Sequence, residues 1–189
     1  MENATKALIM AGSILLAMLI IGAAVMTFRS ITQTQREQEE SVRIKQINDF
    51  NKGYTSFEKN LYGSEVLSLA NKMTDYNEKV EQKISGYVGY SKMELSVQVG
   101  TQKKGLTELD KIYHDVEAIK EKFGDQAMQQ YISKNESGKE SEIPAEAKPY
   151  LATYASYVEF KRKMFSHVNT EFDATNGRIK SMKYKEITN

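Results

Sequence analysis

The chain has 189 residues, with 26 basic and 25 acidic side chains and no cysteine. This balance of charge argues against a nucleic-acid partner, because no basic face or run dominates. The lack of cysteine excludes disulfides, zinc–thiolate sites and cysteine catalysis. The length allows one folded domain beside a membrane anchor.

Residues 7–28 form an apolar stretch without a charged residue, proline, asparagine or glutamine. A helix crosses ~30 Å of hydrocarbon with roughly 20 residues, so this stretch predicts one transmembrane helix surrounded by membrane lipid. A signal peptide cut after Ala24 is the alternative, although its apolar region is ordinarily about 7–15 residues long. Residues 1–6 form a short flank, in which Glu2 and Lys6 have the favourable spacing for a helical ion pair.

Small residues recur four positions apart within the apolar stretch, Ala7 with Ala11 and Ser13 with Ala17. Such pairs let membrane helices approach each other closely. A negative charge at Glu2 also suits the N-terminal end of a helix. These five residues are the candidate assembly residues of the chain.

Residues 29–62 are predicted to continue the helix, since no proline interrupts them and the first glycine is Gly53. The first part, residues 29–46, is mostly Gln, Glu, Arg and Ser and predicts a solvated stalk. Apolar residues then recur at spacings of three and four. This pattern predicts a stripe that packs on the chain's own folded domain or on another subunit. The stripe consists of Ile47, Phe50, Tyr54, Phe57 and Leu61.

Residues 63–189 are predicted to form an α+β domain. Gly63 is expected to break the preceding helix, and Ser64 is expected to cap a short new helix that ends near Asn77. A longer helix follows Gly105 and is expected to begin with a capping box of Thr107 and Asp110. Its buried stripe is predicted to be Leu109, Ile112, Val116, Ile119 and Phe123, before a terminating glycine at Gly124.

Apolar and polar residues alternate from Met93 to Val99, which predicts a half-buried strand. The preceding residues 84–90 are either its hairpin partner or a loop. Residues 134–149 are polar, contain both prolines of the chain and are predicted to form a loop. Residues 157–165 are a candidate further strand.

The C-terminal part of the domain is predicted to be a hairpin. Asn176 and Gly177 form the preferred dipeptide of a two-residue type I′ turn, in which both central residues have positive φ. In that register Asp173 lies opposite Lys180, as a favourable cross-strand pair. The expected sheet is therefore antiparallel.

The residue pattern does not predict an enzyme. His114 and His167 are far apart in sequence and lack a carboxylate at metal-ligand spacing, so both are interpreted as ordinary histidines. The Gly86-x-x-Gly89 segment lacks the glycine-rich phosphate fingerprint. No catalytic, cofactor-binding or metal site is therefore predicted, and no small-molecule substrate is evident.

The order of parts resembles the plan of type IV pilins and pseudopilins: a short flank with an acidic residue, an apolar helix, an amphipathic extension and a small α/β domain ending in strands. Three segments are also similar to a family of small single-pass surface proteins of Clostridia-type Gram-positive bacteria. They are MENATKALIMAGSILLAMLI, FNKGYTSFEKNLYGSEVLSLANKMTDYN and NGRIKSMKYKEI. Unlike a prepilin, the chain has no glutamate five positions after Gly12, and Glu2 precedes the apolar helix.

The resemblance implies a membrane-anchored structural subunit of a surface assembly, with its domain outside the cytoplasm. It implies self-association or contact with other pilin-like subunits, and a role for the Glu2 charge against the amino group of a neighbouring chain. The alternative is a monomeric, membrane-tethered binding or sensor domain.

Overall fold

A computed structural model describes residues 2–188. The chain forms two compact units, Met1–Asp49 and Phe50–Asn189. Helix α1 (Glu2–Thr55) accounts for the described part of the first unit, and its last turns belong to the second. The second unit is called the head below.

The head is α+β and combines a five-stranded sheet with four helices beyond α1. Short 3₁₀ turns at Glu140–Glu142 and Lys148–Tyr150 precede its last helix. Its elements are β1 (Leu61–Tyr62), α2 (Gly63–Glu81), β2 (Glu94–Val99), β3 (Gln102–Gly105), α3 (Leu106–Phe123), α4 (Asp125–Glu136), α5 (Leu151–Arg162), β4 (Met164–Phe172) and β5 (Ile179–Glu186).

The sheet has the strand order β1-β4-β5-β2-β3, and its β2–β5 pair is parallel. The other three pairs are antiparallel. The expectation of an antiparallel sheet is therefore wrong, and the sheet is mixed. Strand β5 is in the middle, where Leu95 of β2 faces Met182 and Val97 faces Tyr184. All four of these side chains are buried.

The predicted continuation of the first helix beyond Phe28 is confirmed, because α1 extends unbroken to Thr55. The helical spacing of the apolar stripe holds as far as Tyr54, which is buried in the head. Phe57 and Leu61 lie beyond the helix, and Leu61 is a buried residue of β1. The chain thus changes from helix to strand between Tyr54 and Leu61, and both of these residues are buried in the head.

Both predicted helices of the domain are present, with different caps. Helix α2 begins after Tyr62, whose N–H donates to Glu65 Oε2 over 2.8 Å, so Ser64 is not its cap. Helix α3 begins after Gly105, whose N–H donates to Glu108 Oε2 over 3.3 Å. In each case a glutamate in the first turn satisfies the backbone N–H of the residue before the helix. The expected box of Thr107 and Asp110 is therefore wrong.

The buried stripe of α3 is confirmed at its centre. Leu109, Val116 and Ile119 are buried, whereas Ile112 and Phe123 are partly buried against the core. Gly124 ends the helix with a φ of 83°. Helix α2 buries Val66, Leu69, Ala70 and Met73, and continues past Asn77 to Glu81.

Two other segments differ from their predicted structure, and a third has one of its two predicted forms. Residues 157–165 are not one strand, because α5 extends to Arg162 and β4 begins only at Met164. Helix α4 includes the first residues of the predicted loop at 134–149. Residues 84–90 form turns, and β3 is the hairpin partner of β2.

The C-terminal hairpin of β4 and β5 is present, but its turn is not type I′. Gly177 has a φ of 71°, whereas Asn176 does not have positive φ. The loop is closed by the N–H of Asp173, which donates to Arg178 O over 2.8 Å. Phe172 faces Ile179 in the register, so the predicted pairing of Asp173 with Lys180 is also wrong.

The two outer strands of the sheet are short or irregular. Strand β3 has four residues and carries Lys103 and Lys104. On the other side, β1 covers only Met164 and Phe165 of β4. Beyond them, the register of β4 with β5 shifts between His167 and Asn169.

Gly63 marks a close approach between the start of α2 and the end of α5. Its N–H donates to Lys163 O over 2.9 Å. A Cβ atom at this position would overlap the backbone carbonyl oxygen of Phe160, which a side-chain rotation cannot relieve. Only glycine therefore lets the two backbones approach this closely.

We expect Gly63→Ala to destabilise the head by about 1–3 kcal/mol, the usual cost of overpacking. All eleven tyrosines lie in the head, so near-ultraviolet circular dichroism of the detergent-solubilised full chain reports the unfolding of this unit alone. Gly53→Ala is the matched control, because its Cβ would meet only Lys72 Nζ at 3.5 Å. A helical Gly→Ala change should be neutral or stabilising. Equal unfolding of the two variants would contradict the assignment.

Candidate functional site

The candidate assembly residues all lie in the first five turns of α1. Glu2 and Lys6 form the predicted ion pair, with 3.1 Å between Oε1 and Nζ. Their side chains are 85% and 65% exposed, so solvent weakens the attraction between them. The carboxylate therefore already has a partner in its own helix, but it is open to a second cation.

The helix places the two pairs of small residues on different faces. At about 100° per residue, Ala7 and Ala11 are centred about 120° around the axis from Ser13 and Ala17. Each pair is thus brought together as predicted, but the two pairs do not form one flat surface. A neighbouring helix that packs between the two pairs would have one pair on each side of the contact.

The apolar stretch satisfies its polar groups internally. Ser13 Oγ donates to Met10 O over 2.8 Å, and Thr27 Oγ1 donates to Ala23 O over 2.9 Å. The backbone of this stretch is helical throughout, so its amides and carbonyls are bonded within the segment as hydrocarbon requires. At 1.5 Å per residue, residues 7–28 span about 33 Å.

None of the most apolar 18-residue window of α1 is buried. By length and composition, α1 is the one helix among residues 2–188 that is able to cross a membrane. Its large apolar side chains are exposed on all sides, which is typical of a surface that another apolar phase covers. They include Leu8, Ile9, Met10, Ile14, Leu15, Leu16, Met18, Leu19, Ile20, Ile21, Val25, Met26 and Phe28.

The two histidines lie on separate elements of the head. His114 is on α3, with its Nε2 3.7 Å from Oδ1 of Asp110, so the expectation that it lacks a carboxylate at such spacing is wrong. His167 is on β4, where its Nε2 is 2.8 Å from Thr170 Oγ1 and its ring packs edge-on against Tyr184. Among residues 2–188, no three His, Cys, Asp or Glu side chains are grouped so as to hold a metal ion.

A cleft of about 700 Å³ between α2, β2 and the start of α3 was not predicted from the sequence. Glu81, Lys92 and Asp110 are among its lining residues, so it presents charges of both signs. The Oδ1 atom of Asp110 is buried and makes no hydrogen bond within the described part of the chain. Residues from five elements, including β3 and β5, form this cleft, and no local sequence pattern indicates that they meet.

One wall of the cleft is fixed by Asn77. Its Nδ2 donates to Met93 O over 2.8 Å, and its Oδ1 accepts from Met93 N over 2.6 Å. A part-buried amide that bonds both backbone groups of one residue holds α2 and the start of β2 at a fixed separation. Asn51 makes a similar pair of bonds, to Gly177 O and from Ile179 N, each of 3.0 Å.

Arg178 organises an aromatic cluster beside the β4–β5 loop. Its guanidinium carbon is 3.5 Å from the centroid of the Tyr90 ring and 4.8 Å from that of Phe50. Phe50 in turn packs on Tyr76, with 5.1 Å between ring centroids. Burial raises the pKa of Tyr76, and the nearby Arg178 charge partly offsets this effect. The cluster joins the last turns of α1 to the loop at 84–90 and to the hairpin.

Asp173 ties the same loop region together through its carboxylate. It accepts hydrogen bonds from Thr175 Oγ1 at 2.5 Å, Thr175 N at 2.8 Å and Ser91 Oγ at 2.9 Å. These donors, the Thr175 hydroxyl first, lower the pKa of Asp173 from 3.8 to about 2. The ionised form is therefore favoured in the folded head.

No family model, curated protein or solved structure matches this chain. The resemblance described from the sequence segments therefore stays a prediction.

The lowered pKa of Asp173 predicts a specific loss of stability in acid. Its contribution is present above the ordinary value of 3.8 and is lost as the pH falls toward about 2. Asp173→Asn should therefore lower stability at neutral pH and flatten the dependence of stability on pH across this interval. Urea unfolding followed by the tyrosine signal measures both effects.

Ser91→Ala is the matched control for the aspartate, because it removes one of the three donors and leaves the carboxylate. It should give an intermediate loss at neutral pH. A difference between wild type and Asp173→Asn that does not change with pH would contradict the assigned role of the carboxylate.

Proposed function

We propose that this chain is a non-enzymatic, membrane-anchored structural protein, a pilin-like or pseudopilin-like subunit of a surface assembly. Residues 7–28 of α1 are its single transmembrane segment, and the head lies outside the cytoplasm. The observation that supports anchoring is the fully exposed apolar surface of α1, whose hydroxyls are bonded within the helix. A surface filament on a Gram-positive cell is the setting that the sequence resemblance favours.

The proposed structural role depends on self-association of the chain through α1. Small side chains leave room for a neighbouring backbone at Ala7, Ala11, Ser13 and Ala17. The close van der Waals packing that this allows favours helix association in lipid. Glu2 lies at the N-terminal end of α1, where its carboxylate is able to meet the amino group of an adjacent copy. Because the ion pair of Glu2 with Lys6 is exposed to solvent, its loss in an exchange of partners costs little.

A monomeric, tethered binding or sensor domain is the second candidate. The cleft between α2, β2 and α3 favours it, since a cleft of about 700 Å³ with charged walls is large enough for a small ligand. The two functions differ in what they require of α1. A passive anchor needs only hydrophobicity and length, whereas an assembling helix needs particular faces.

Self-association can be tested with leucine substitutions that keep the anchor apolar. We expect the double variants Ala7→Leu with Ala11→Leu, and Ser13→Leu with Ala17→Leu, to insert normally but to copurify less of a differently tagged copy. Glu2→Ala should weaken copurification as well. The control is Gly12→Leu with Ala23→Leu, which lie on the opposite side of α1. Undiminished copurification in all test variants would contradict the role of these residues, and no copurification of the unchanged chain would favour the monomeric domain.

Topology is tested by adding protease to intact cells whose wall has been removed. We expect the head to be degraded and a fragment of α1 to remain with the membrane. Large domains translocate with little regard to flanking charges, so Lys6 and Arg29 do not decide the orientation. A head that resists protease until the membrane is permeabilised would contradict the proposed location.

A further inference from the structure

Between the apolar stretch and Arg43, the charges of α1 avoid one face of the helix. Phe28, Ile31, Gln35, Gln38 and Val42 follow one another at spacings of three and four, and none carries a charge. Because α1 is unbroken through this region, they form a single stripe. The charged residues between 29 and 43 all lie off the stripe. They are Arg29, Arg36, Glu37, Glu39, Glu40 and Arg43.

The same spacing extends back through the apolar stretch to Ala7. Together the two parts form a continuous uncharged stripe, called the seam below, which ends before Lys45. Ala11 and Ser13, the other two small candidate residues, flank it on either side. The seam consists of Ala7, Met10, Ile14, Ala17, Ile21, Ala24, Phe28, Ile31, Gln35, Gln38 and Val42.

The apolar seam residues beyond the membrane segment are exposed in the single chain. Ile31 is 52% exposed and Val42 is 56% exposed. Phe28, at the end of the apolar stretch, is 74% exposed. Three arginines, at 29, 36 and 43, occupy one heptad position on the outer side of the helix, about 130° from the middle of the seam. Charges on the outer side of an uncharged heptad stripe stay in water when two helices pair through that stripe.

We propose that a second copy of this chain packs in parallel against the seam, so that helix pairing continues from the membrane into the stalk as far as Val42. This inference rests on the self-association in the proposed function. Two copies with the same membrane orientation run in the same direction, so each seam residue meets its own counterpart. A strict seven-residue repeat drifts by about 20° per heptad on a straight helix, and the pair is therefore a left-handed supercoil.

A second copy fits the seam better than a charged or strongly polar partner. Ala7, Ala17 and Ala24 allow close backbone approach where both helices are in lipid. Gln35 and Gln38 place neutral amides at the pairing positions in water, where two copies can bond amide to amide. Such polar residues lower the stability of a coiled coil but fix its register.

The aqueous part of the seam is too short to pair by itself. Residues 28–42 cover about two heptads, and isolated helices of roughly 12–15 residues are marginal in water. Anchoring in one membrane raises the effective concentration of the second helix and aligns it. Pairing in the stalk therefore depends on the membrane segment.

Cysteine crosslinking of the full chain in isolated membranes tests the seam, because the natural sequence contains no cysteine. We expect single variants Ile31→Cys, Gln38→Cys and Val42→Cys to form disulfide-linked dimers on mild oxidation. Gln33→Cys and Glu40→Cys lie on the opposite side of α1 and should yield several-fold less dimer. In the same membranes, copurification of two differently tagged copies of the cysteine-free chain measures self-association.

Crosslinking that follows the seam, with weak crosslinking at Gln33 and Glu40, supports the proposal. Copurification together with crosslinking that is absent or equal at all five positions overturns the seam and leaves the proposed function standing. Loss of both copurification and crosslinking contradicts the proposed self-association and the seam together.

Discussion

The head depends on the insertion of β5 between β4 and β2. This strand pairs antiparallel with one neighbour and parallel with the other, and it carries the buried Met182 and Tyr184. Tyr184 also donates from its hydroxyl to Phe57 O over 2.6 Å, which fixes the chain just after α1. The β2–β5 pair and the Tyr184–Phe57 bond join segments far apart in sequence. The sheet, the helices on it and the end of α1 are therefore parts of one cooperative core rather than separable modules.

Side-chain amides connect this core to the segments around it. Asn77 joins α2 to the start of β2, and Asn51 joins α1 to the hairpin loop, each by two hydrogen bonds to backbone groups. Arg178 adds a cation–π contact with Tyr90 in the loop at 84–90. Because a side-chain amide both donates and accepts, it can bond the free backbone N–H and C=O groups near a strand end, as a neighbouring strand would. Long loops are held in this way without extra secondary structure.

Sequence patterns predicted the elements that bury one regular face. The alternation at Leu95 and Val97 and the helical spacing of Leu109, Val116 and Ile119 are local signals, because the core lies on one side of each element. The parallel β2–β5 pair has no local signal, since its partners lie more than 80 residues apart. The candidate strand at residues 157–165 is wrong over the second half of α5, where Tyr157 and Phe160 have high strand propensity that tertiary packing overrides. The candidate assembly residues of α1 were predicted from the sequence, but the faces on which they lie follow only from the uninterrupted helix. The cleft is formed only when the head is folded.

The irregular edges of the sheet have a consequence for the proposed surface assembly. An open, flat edge is a template on which strands of other molecules add, and crowding makes such addition faster. Here β3 is short and carries Lys103 and Lys104, while β4 is partly covered by β1 and loses its regular register after His167. In the proposed assembly, heads that lie side by side would thereby be protected against amyloid-like growth. Contacts between copies can then be confined to surfaces other than the sheet edge.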